Sequence, residues 1–172
     1  MDFDWLKAHI ERDGNLEKVL ADSAGRICEG FLADRVTVYQ AVDDGTALVA
    51  IFQMGLESFG AVKVRLDSNR SVAGYVGANQ RVVNIRDAGD DAELAPLELR
   101  HKMFRAIDER TGYRTTQVLA APVVAEGRLL GVVELLNRTD GRRFPKAIEK
   151  ELASLCAILA PALAKAASPA LS

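Results

Sequence analysis

Residues 111–137, TGYRTTQVLAAPVVAEGRLLGVVELLN, decide the fold. Residues 117–124 are apolar almost throughout, the pattern of a strand covered on both faces. Ala125-Glu126-Gly127-Arg128 forms a tight turn, since Gly127 can take a positive φ with no Cβ to clash. Residues 129–137 return as a second apolar strand that holds one acid, Glu134. Burying a carboxylate without a partner is costly, so Glu134 lies on a solvated face or meets a partner. Upstream, Thr111 and Thr115 are four apart, which on a final helical turn puts both hydroxyls on one side.

Outward from this hairpin, the C-terminal side starts a helix near Pro145, a residue suited to a first turn. Ile148, Leu152, Leu155, Leu159 and Leu163 then repeat at three and four. Residues 166–172 form a small, polar tail that frays. On the N-terminal side, residues 99–110 form a helix with charged and apolar faces. Residues 87–98 form an acidic, irregular lid loop. Residues 80–85 are extended, and residues 71–78 make a short helix capped by Ser71. Residues 34–42, 46–54 and 62–66 read as three strands, the first two joined at Asp43-Asp44-Gly45. Residues 16–32 repeat apolar positions at helical spacing, with Asn15 as N-cap. Residues 2–13 add a short helix carrying Phe3, Leu6 and Ile10 on one side. The order predicts an α+β fold: an antiparallel sheet of five to six strands, helices on one face, and loops and short helices over a pocket on the other.

At 172 residues the chain makes one domain, able to bury roughly two-thirds of its unfolded surface. Its net charge of −2, with no basic block, argues against nucleic acid as a partner. The greasiest run, residues 155–164, is too short for a bilayer and contains Pro161, so no membrane is expected. Cys28 and Cys156 stand in apolar helical segments, which points to free buried thiols and a reducing cytoplasm. No signal peptide is evident in the acidic first residues. His9 and His101 share no zinc-type spacing and read as helix-surface residues. Ser71 and Ser154 lack a nucleophile-elbow context. The Ala73-Gly74-Tyr75-Val76-Gly77 glycines precede no Gly-Lys-Ser/Thr. No catalysis and no metal site are expected.

The run TGYRT, the strand with an internal Pro, and GRLLGVVELLNR together resemble the second half of a GAF domain. SVAGYV at residues 71–76 and VNIRDA at residues 83–88 are similar to the same family's middle. The likeness spans roughly residues 15–165, leaving residues 1–14 as an N-terminal extension and 166–172 as a flexible tail. It is greatest to the cyclic-nucleotide-type modules of phosphodiesterases and cyclases, and to bacterial GAF modules of secretion or pilus ATPases. The resemblance implies a pocket lined by Phe52, Val72, Ala73, Asn84, Asp87, Thr111, Thr115 and Glu134. In physical terms, the threonine hydroxyls and the free amides at Val72-Ala73 can hold a phosphate. Asn84 and Asp87 can read ring or ribose groups, and Glu134 can accept from a hydroxyl or an exocyclic amine. The bland readings compete: Thr111 closes a helix, Asp87 caps a turn, and Glu134 faces solvent.

Family members that bind cyclic nucleotides carry Asn-Lys, then Phe, then Asp-Glu, with a Lys–Asp bridge. Here Asn137, Phe144 and Glu149 match, Arg138 replaces the Lys, and Ile148 stands at the Asp position. Arg138 keeps the charge with altered geometry, and can pair with Glu149 or Glu151. Neither cysteine falls in a loop over the pocket, so covalent bilin is disfavoured and no bilin or haem is expected. The pocket cysteines of the family's methionine-sulfoxide reductases are missing too. The family's habits imply a cytoplasmic regulatory module in signalling. It senses a small-molecule effector, with a cyclic nucleotide as the candidate, and dimerises through its terminal helices toward an output domain or partner protein. The alternative is a ligand-free interaction and dimerisation domain, such as the regulatory N-terminal domain of a secretion or pilus ATPase.

Overall fold

The computed structural model describes residues 1–66 and 70–167. Its centre is a six-stranded sheet in the order β3-β2-β1-β6-β5-β4, each neighbouring pair antiparallel. The strands are β1 Ala33–Val42, β2 Ala47–Gln53, β3 Lys63–Arg65, β4 Val83–Ile85, β5 Val118–Ala125 and β6 Arg128–Arg138. The predicted α+β class and strand number hold. β5 and β6 are joined by Glu126 and Gly127, both at positive φ (53° and 75°), the mirror-image turn that matches strand twist. Gly131 in β6 meets a different demand. A Cβ there would lie 2.1 Å from the Tyr39 carbonyl oxygen of β1, so only glycine permits this approach.

Alternation along the strands divides the core into two layers. Val36, Val38, Leu119, Ala121, Val133 and Leu135 face α1 (Asp4–Asp13), α2 (Leu16–Phe31) and α6 (Ile148–Ala167). There they meet Leu20, Ile27 and Phe31 of α2 and Leu152, Leu155, Leu159 and Leu163 of α6. The apolar stripes of the two terminal helices are thus consumed within the chain. Between the exposed Lys150 and Lys165, what the middle turns of α6 leave exposed is small: Ala153, Ser154, Ala157 and Pro161. The first fourteen residues are no loose appendage, since Leu6 of α1 is fully buried and Phe3 stacks on Phe31 at 5.9 Å. Cys28 and Cys156 are free thiols buried in this layer, and burial pushes them up to about 11 and about 12.

On the other face Val118, Ala120 and Val132 are covered by α3 (Val72–Asn79), by α4 (Asp91–Leu94), and by Phe104 of α5 (His101–Thr111). Ser71 caps α3 as expected, its hydroxyl accepting from the Gly74 N–H at 2.9 Å, and Asn15 caps α2 through the Lys18 N–H. The acidic stretch expected to be an irregular lid is instead folded, and its acids are the reason. Asp90 caps α4 through the Ala92 N–H, and Asp91 accepts from the His101 N–H at 2.7 Å. Glu93 holds the Arg86 and Asp87 amides at 2.7 and 3.0 Å. α6 begins at Ile148 rather than near Pro145, which lies in the turn before it. The frayed tail of the sequence reading falls, from residue 168 on, outside the described residues. Among the described residues no helix is long and apolar enough to cross a membrane.

Candidate functional site

A polar row crosses the apolar sheet on the α3 face. Thr37 of β1 pairs with Gln53 of β2 on one side and with Glu134 of β6 on the other, and Glu134 pairs with Ala120 of β5. Thr37, Gln53 and Glu134 are all buried, so the row is interior rather than wet surface. Glu134 is 9% exposed. The Ala73 N–H at the start of α3 faces its carboxyl, and the Tyr39 hydroxyl stands 3.5 Å from Oε2. Burial outweighs both bonds and raises the Glu134 carboxyl to about 7. Tyr39 is pushed well above its usual range, first by burial and then by the neighbouring acid. Of the two readings open for Glu134, the partnered one holds. Gln53 donates to the Gly60 carbonyl at 2.9 Å, tying the β2–β3 connection to the end of the row.

The α3 start is therefore a lever on this carboxyl. Ser71→Ala removes the cap that fixes it, and is expected to cost about 1 kcal/mol. That shift is readable as a fall of about 2–4 °C in melting temperature. An unchanged melting temperature would show that packing alone holds Ala73 in place.

A second group surrounds an open cavity of about 390 Å³ between α5, the β4–α4 connection and the lead-in to β5. α5 ends at Thr111, where Gly112 turns left-handed, so the two threonines do not share a helical face. The Thr111 hydroxyl donates to the Ile107 carbonyl and accepts from the Tyr113 N–H, closing the helix. Thr115 lies in extended chain, with its N–H held at 3.1 Å from both carboxylate oxygens of Asp108. Asp87 accepts from the Gly89 N–H at 2.8 Å, a turn built on its own side chain. His101 is no ordinary helix-surface residue, because its Nδ1 lies 2.8 Å from the Ala88 carbonyl. A carbonyl only accepts, so Nδ1 carries a proton directed at it. His9 is likewise engaged, 3.3 Å from the Ser23 hydroxyl.

Two expected pocket residues lie elsewhere. Phe52 pairs with Val38 and packs into the α2/α6 layer, because a bulge at Val38/Tyr39 resets the alternation. Asn84 pairs with Leu119 and turns to the same layer, donating to the Phe144 carbonyl and to Glu149 at 3.1 and 3.2 Å. Among the described residues its Oδ1 is buried without a hydrogen-bond partner. The group Phe52, Val72, Ala73, Asn84, Asp87, Thr111, Thr115 and Glu134 thus divides three ways. Val72, Ala73 and Glu134 meet beneath α3, Asp87, Thr111 and Thr115 belong to the α5 end, and Phe52 and Asn84 face the terminal helices.

The motif after β6 is also rewired. Arg138 forks onto both oxygens of Asp140 instead of reaching Glu149 or Glu151. Glu149 takes Asn84 and Lys146, and Glu151 takes the N-terminal ammonium at 2.6 Å. Sequence reasoning passed over Tyr39, Thr37 and Gln53. Their sign was the period-two alternation of residues 36–39, but which strand they face depends on a β1–β6 pairing across some hundred residues. Among the described residues no group of three or more His, Cys, Asp and Glu side chains could hold a metal ion.

The GAF domain family model matches residues 15–163, and the chain belongs to the GAF domain family. A probable 3',5'-cyclic phosphodiesterase of Caenorhabditis elegans is 29% identical over 119 residues, 63% of this chain and 15% of that protein. A dual 3',5'-cyclic-AMP and -GMP phosphodiesterase of Takifugu rubripes is 27% identical over 170 residues, 86% of this chain and 18% of its own length. The chain therefore spans less than a fifth of these relatives. Among solved structures, the GAF domain of a phosphoenolpyruvate-protein phosphotransferase from Coxiella burnetii superposes with a TM-score of 0.74 at 23% identity, covering 95% of this chain and 91% of that one. That of an Acinetobacter phosphotransferase gives 0.71 at 21%, covering 99% and 95%. These likenesses speak for the fold.

Proposed function

We propose that the chain is a regulatory module that binds a cyclic nucleotide beneath α3, and that guanine is preferred over adenine. The observation that carries this is Glu134, a buried carboxyl with two oxygens, aimed at the first amides of a helix. Guanine presents adjacent N1–H and N2–H donors that match the two oxygens of a carboxylate. Adenine offers no such pair. In the unliganded chain the carboxyl faces the Ala73 N–H. A base that took Glu134 would release that amide, and the start of α3 would then accept the cyclic phosphate. Neither the 390 Å³ cavity nor the 840 Å³ cavity at the β-turn end is lined by Glu134, so entry requires α3 to lift. That movement is the signal. It would pass to an output domain or partner protein, and the exposed small face of α6 is the surface offered for self-association. No catalytic step is involved.

Calorimetric titration with cGMP and cAMP tests the reading. cGMP is expected to bind at least tenfold tighter than cAMP, a difference of about 1.4 kcal/mol, and Glu134→Ala to abolish the preference. Absence of heat from either nucleotide at about 1 mM would sink it. The closed state of Glu134 favours a second reading, a ligand-free interaction module in the cytoplasm. A dimer in sedimentation, together with a silent titration, is the result that supports it.

A further inference from the structure

The strand that carries Thr37 also carries Arg35, two residues back and so on the same face of β1. Arg35 pairs with Leu136 of β6 as Thr37 pairs with Glu134, and Leu136 packs into the layer on the α3 side. Glu134, Thr37 and Arg35 therefore follow one another on one face of the sheet. The half-buried Arg35 guanidinium lies 3.7 Å from the centroid of the Tyr113 ring. Gly55 lies against it, since a Cβ there would come within 2.8 Å of Cζ. Two neighbouring acids are engaged elsewhere. Asp34 accepts from the Tyr113 hydroxyl at 2.8 Å, and Glu57 from the Gly55 N–H at 3.0 Å. Among the described residues the guanidinium itself makes no hydrogen bond or ion pair. Stacking covers the face of a guanidinium while its N–H donors stay in the plane, so the fork is positioned with its donors unspent. Thr37 repeats the pattern: it is 6% exposed, and among the described residues its hydroxyl makes no hydrogen bond. Interior polar groups without partners are uncommon in folded chains, and both of these stand beside Glu134.

We propose that Arg35 reads the O6 and N7 acceptors of the guanine whose N1–H and N2–H donors Glu134 takes, with the Thr37 hydroxyl donating to O6 between them. Resting on the cyclic-nucleotide reading, this gives the base a second reader. N2, N1, O6 and N7 succeed one another around the rim of guanine, in the order in which Glu134, Thr37 and Arg35 meet it. Paired residues stand about 5 Å apart across the strands and same-face residues about 7 Å apart along one, spans over which glutamate and arginine side chains close on a single base. Arginine to O6 and N7 is the commonest specific contact made to guanine. Adenine carries an amino group where guanine has O6, so Arg35 would face a donor with a donor. Discrimination then comes from a penalty on adenine as well as from the gain on guanine. A free anion suits the fork less, because Asp34 and Glu57 stand beside it, whereas uncharged acceptors meet no such repulsion.

Calorimetry with cGMP and with 7-deaza-cGMP, in which a C–H replaces N7, tests the assignment. The parent is expected to bind 7-deaza-cGMP about tenfold more weakly, the loss of one charge-assisted bond. Arg35→Met keeps a stem to pack on Tyr113 and removes the fork. It should weaken cGMP by at least about tenfold and bind the two ligands equally. A purely structural role for Arg35 would weaken both by the same factor and preserve their ratio. The ratio in the parent needs no variant, so the test stands even where Arg35→Met folds poorly. If cGMP itself gives no heat, the nucleotide reading falls and this assignment with it. Equal binding of the two ligands by the parent, or an unchanged ratio in Arg35→Met, overturns the Arg35 assignment alone and leaves the nucleotide reading in place.

Discussion

Asn137→Ala is expected to destabilise the chain by about 4 kcal/mol, more than any other single polar truncation outside the sheet interior. The side chain makes four hydrogen bonds. Its Oδ1 accepts from the Thr116 N–H (2.8 Å), the Thr116 hydroxyl (3.0 Å) and the Gln117 N–H (3.0 Å), while Nδ2 donates to the Arg114 carbonyl at 2.7 Å. Each such bond contributes about 1 kcal/mol, and backbone partners left unsatisfied cost more. Asn137 also sits at φ 50°, a conformation asparagine tolerates better than alanine. Two companions separate these causes. Asn137→Gly relieves the backbone but loses every bond, so it should recover no more than about 1 kcal/mol. Asn137→Asp keeps the acceptor and loses the donor, and should fall between. Urea denaturation measures all three. A loss below about 1 kcal/mol for alanine would mean that the strands hold the lead-in to β5 unaided. The same clip positions residues 114–116, so a larger loss also means a disordered wall for the α5 cavity.

How far the sequence carried this site follows from which contacts are local. The β5–β6 hairpin was legible because its turn and both strands lie within one stretch, with Glu126-Gly127 supplying the left-handed pair. Ser71 and Asn15 were legible as caps because a cap bonds an amide three residues on. Thr111 and Asp87 were weighed as local caps, and their side chains do make those local bonds. Phe52 and Asn84 went astray for a different reason. Which face a strand residue takes depends on register: the bulge at Val38/Tyr39 shifts the β2 pairing by one and turns Phe52, while Asn84 follows its pairing with Leu119 of β5. The folded state of residues 91–97 was hidden because acids that look like a solvated run act as helix caps only once α5 and β4 stand beside them. Arg138 could not be assigned a partner from charge alone. Asp140, two residues away, reaches it before Glu149 does.

Glu134→Gln is expected to remove a fall in stability that the parent shows as pH rises toward neutrality. The folded carboxyl is raised from an ordinary 4.5 to about 7, mainly by burial. Between those values the folded protein holds a proton that the unfolded chain has released. Stability therefore falls as pH rises through this window and levels off above about 7. The shift corresponds to a decline of about 3 kcal/mol. Glutamine keeps an oxygen for the Ala73 N–H and offers an amide toward Tyr39, but cannot ionise. Its curve should run parallel to the parent below about pH 5 and lie above it at pH 8. Every other group is common to both proteins, so the difference between the curves isolates this one carboxyl. Parallel curves from pH 5 to 8 would mean that water reaches Glu134, and a carboxyl already wet gives α3 no reason to lift. A divergence instead ties ligand capture to proton release, because a base bound through its N–H donors needs the ionised form. Binding of cGMP should then strengthen as pH rises from 6 to 8 in the parent, and stay flat in the glutamine variant.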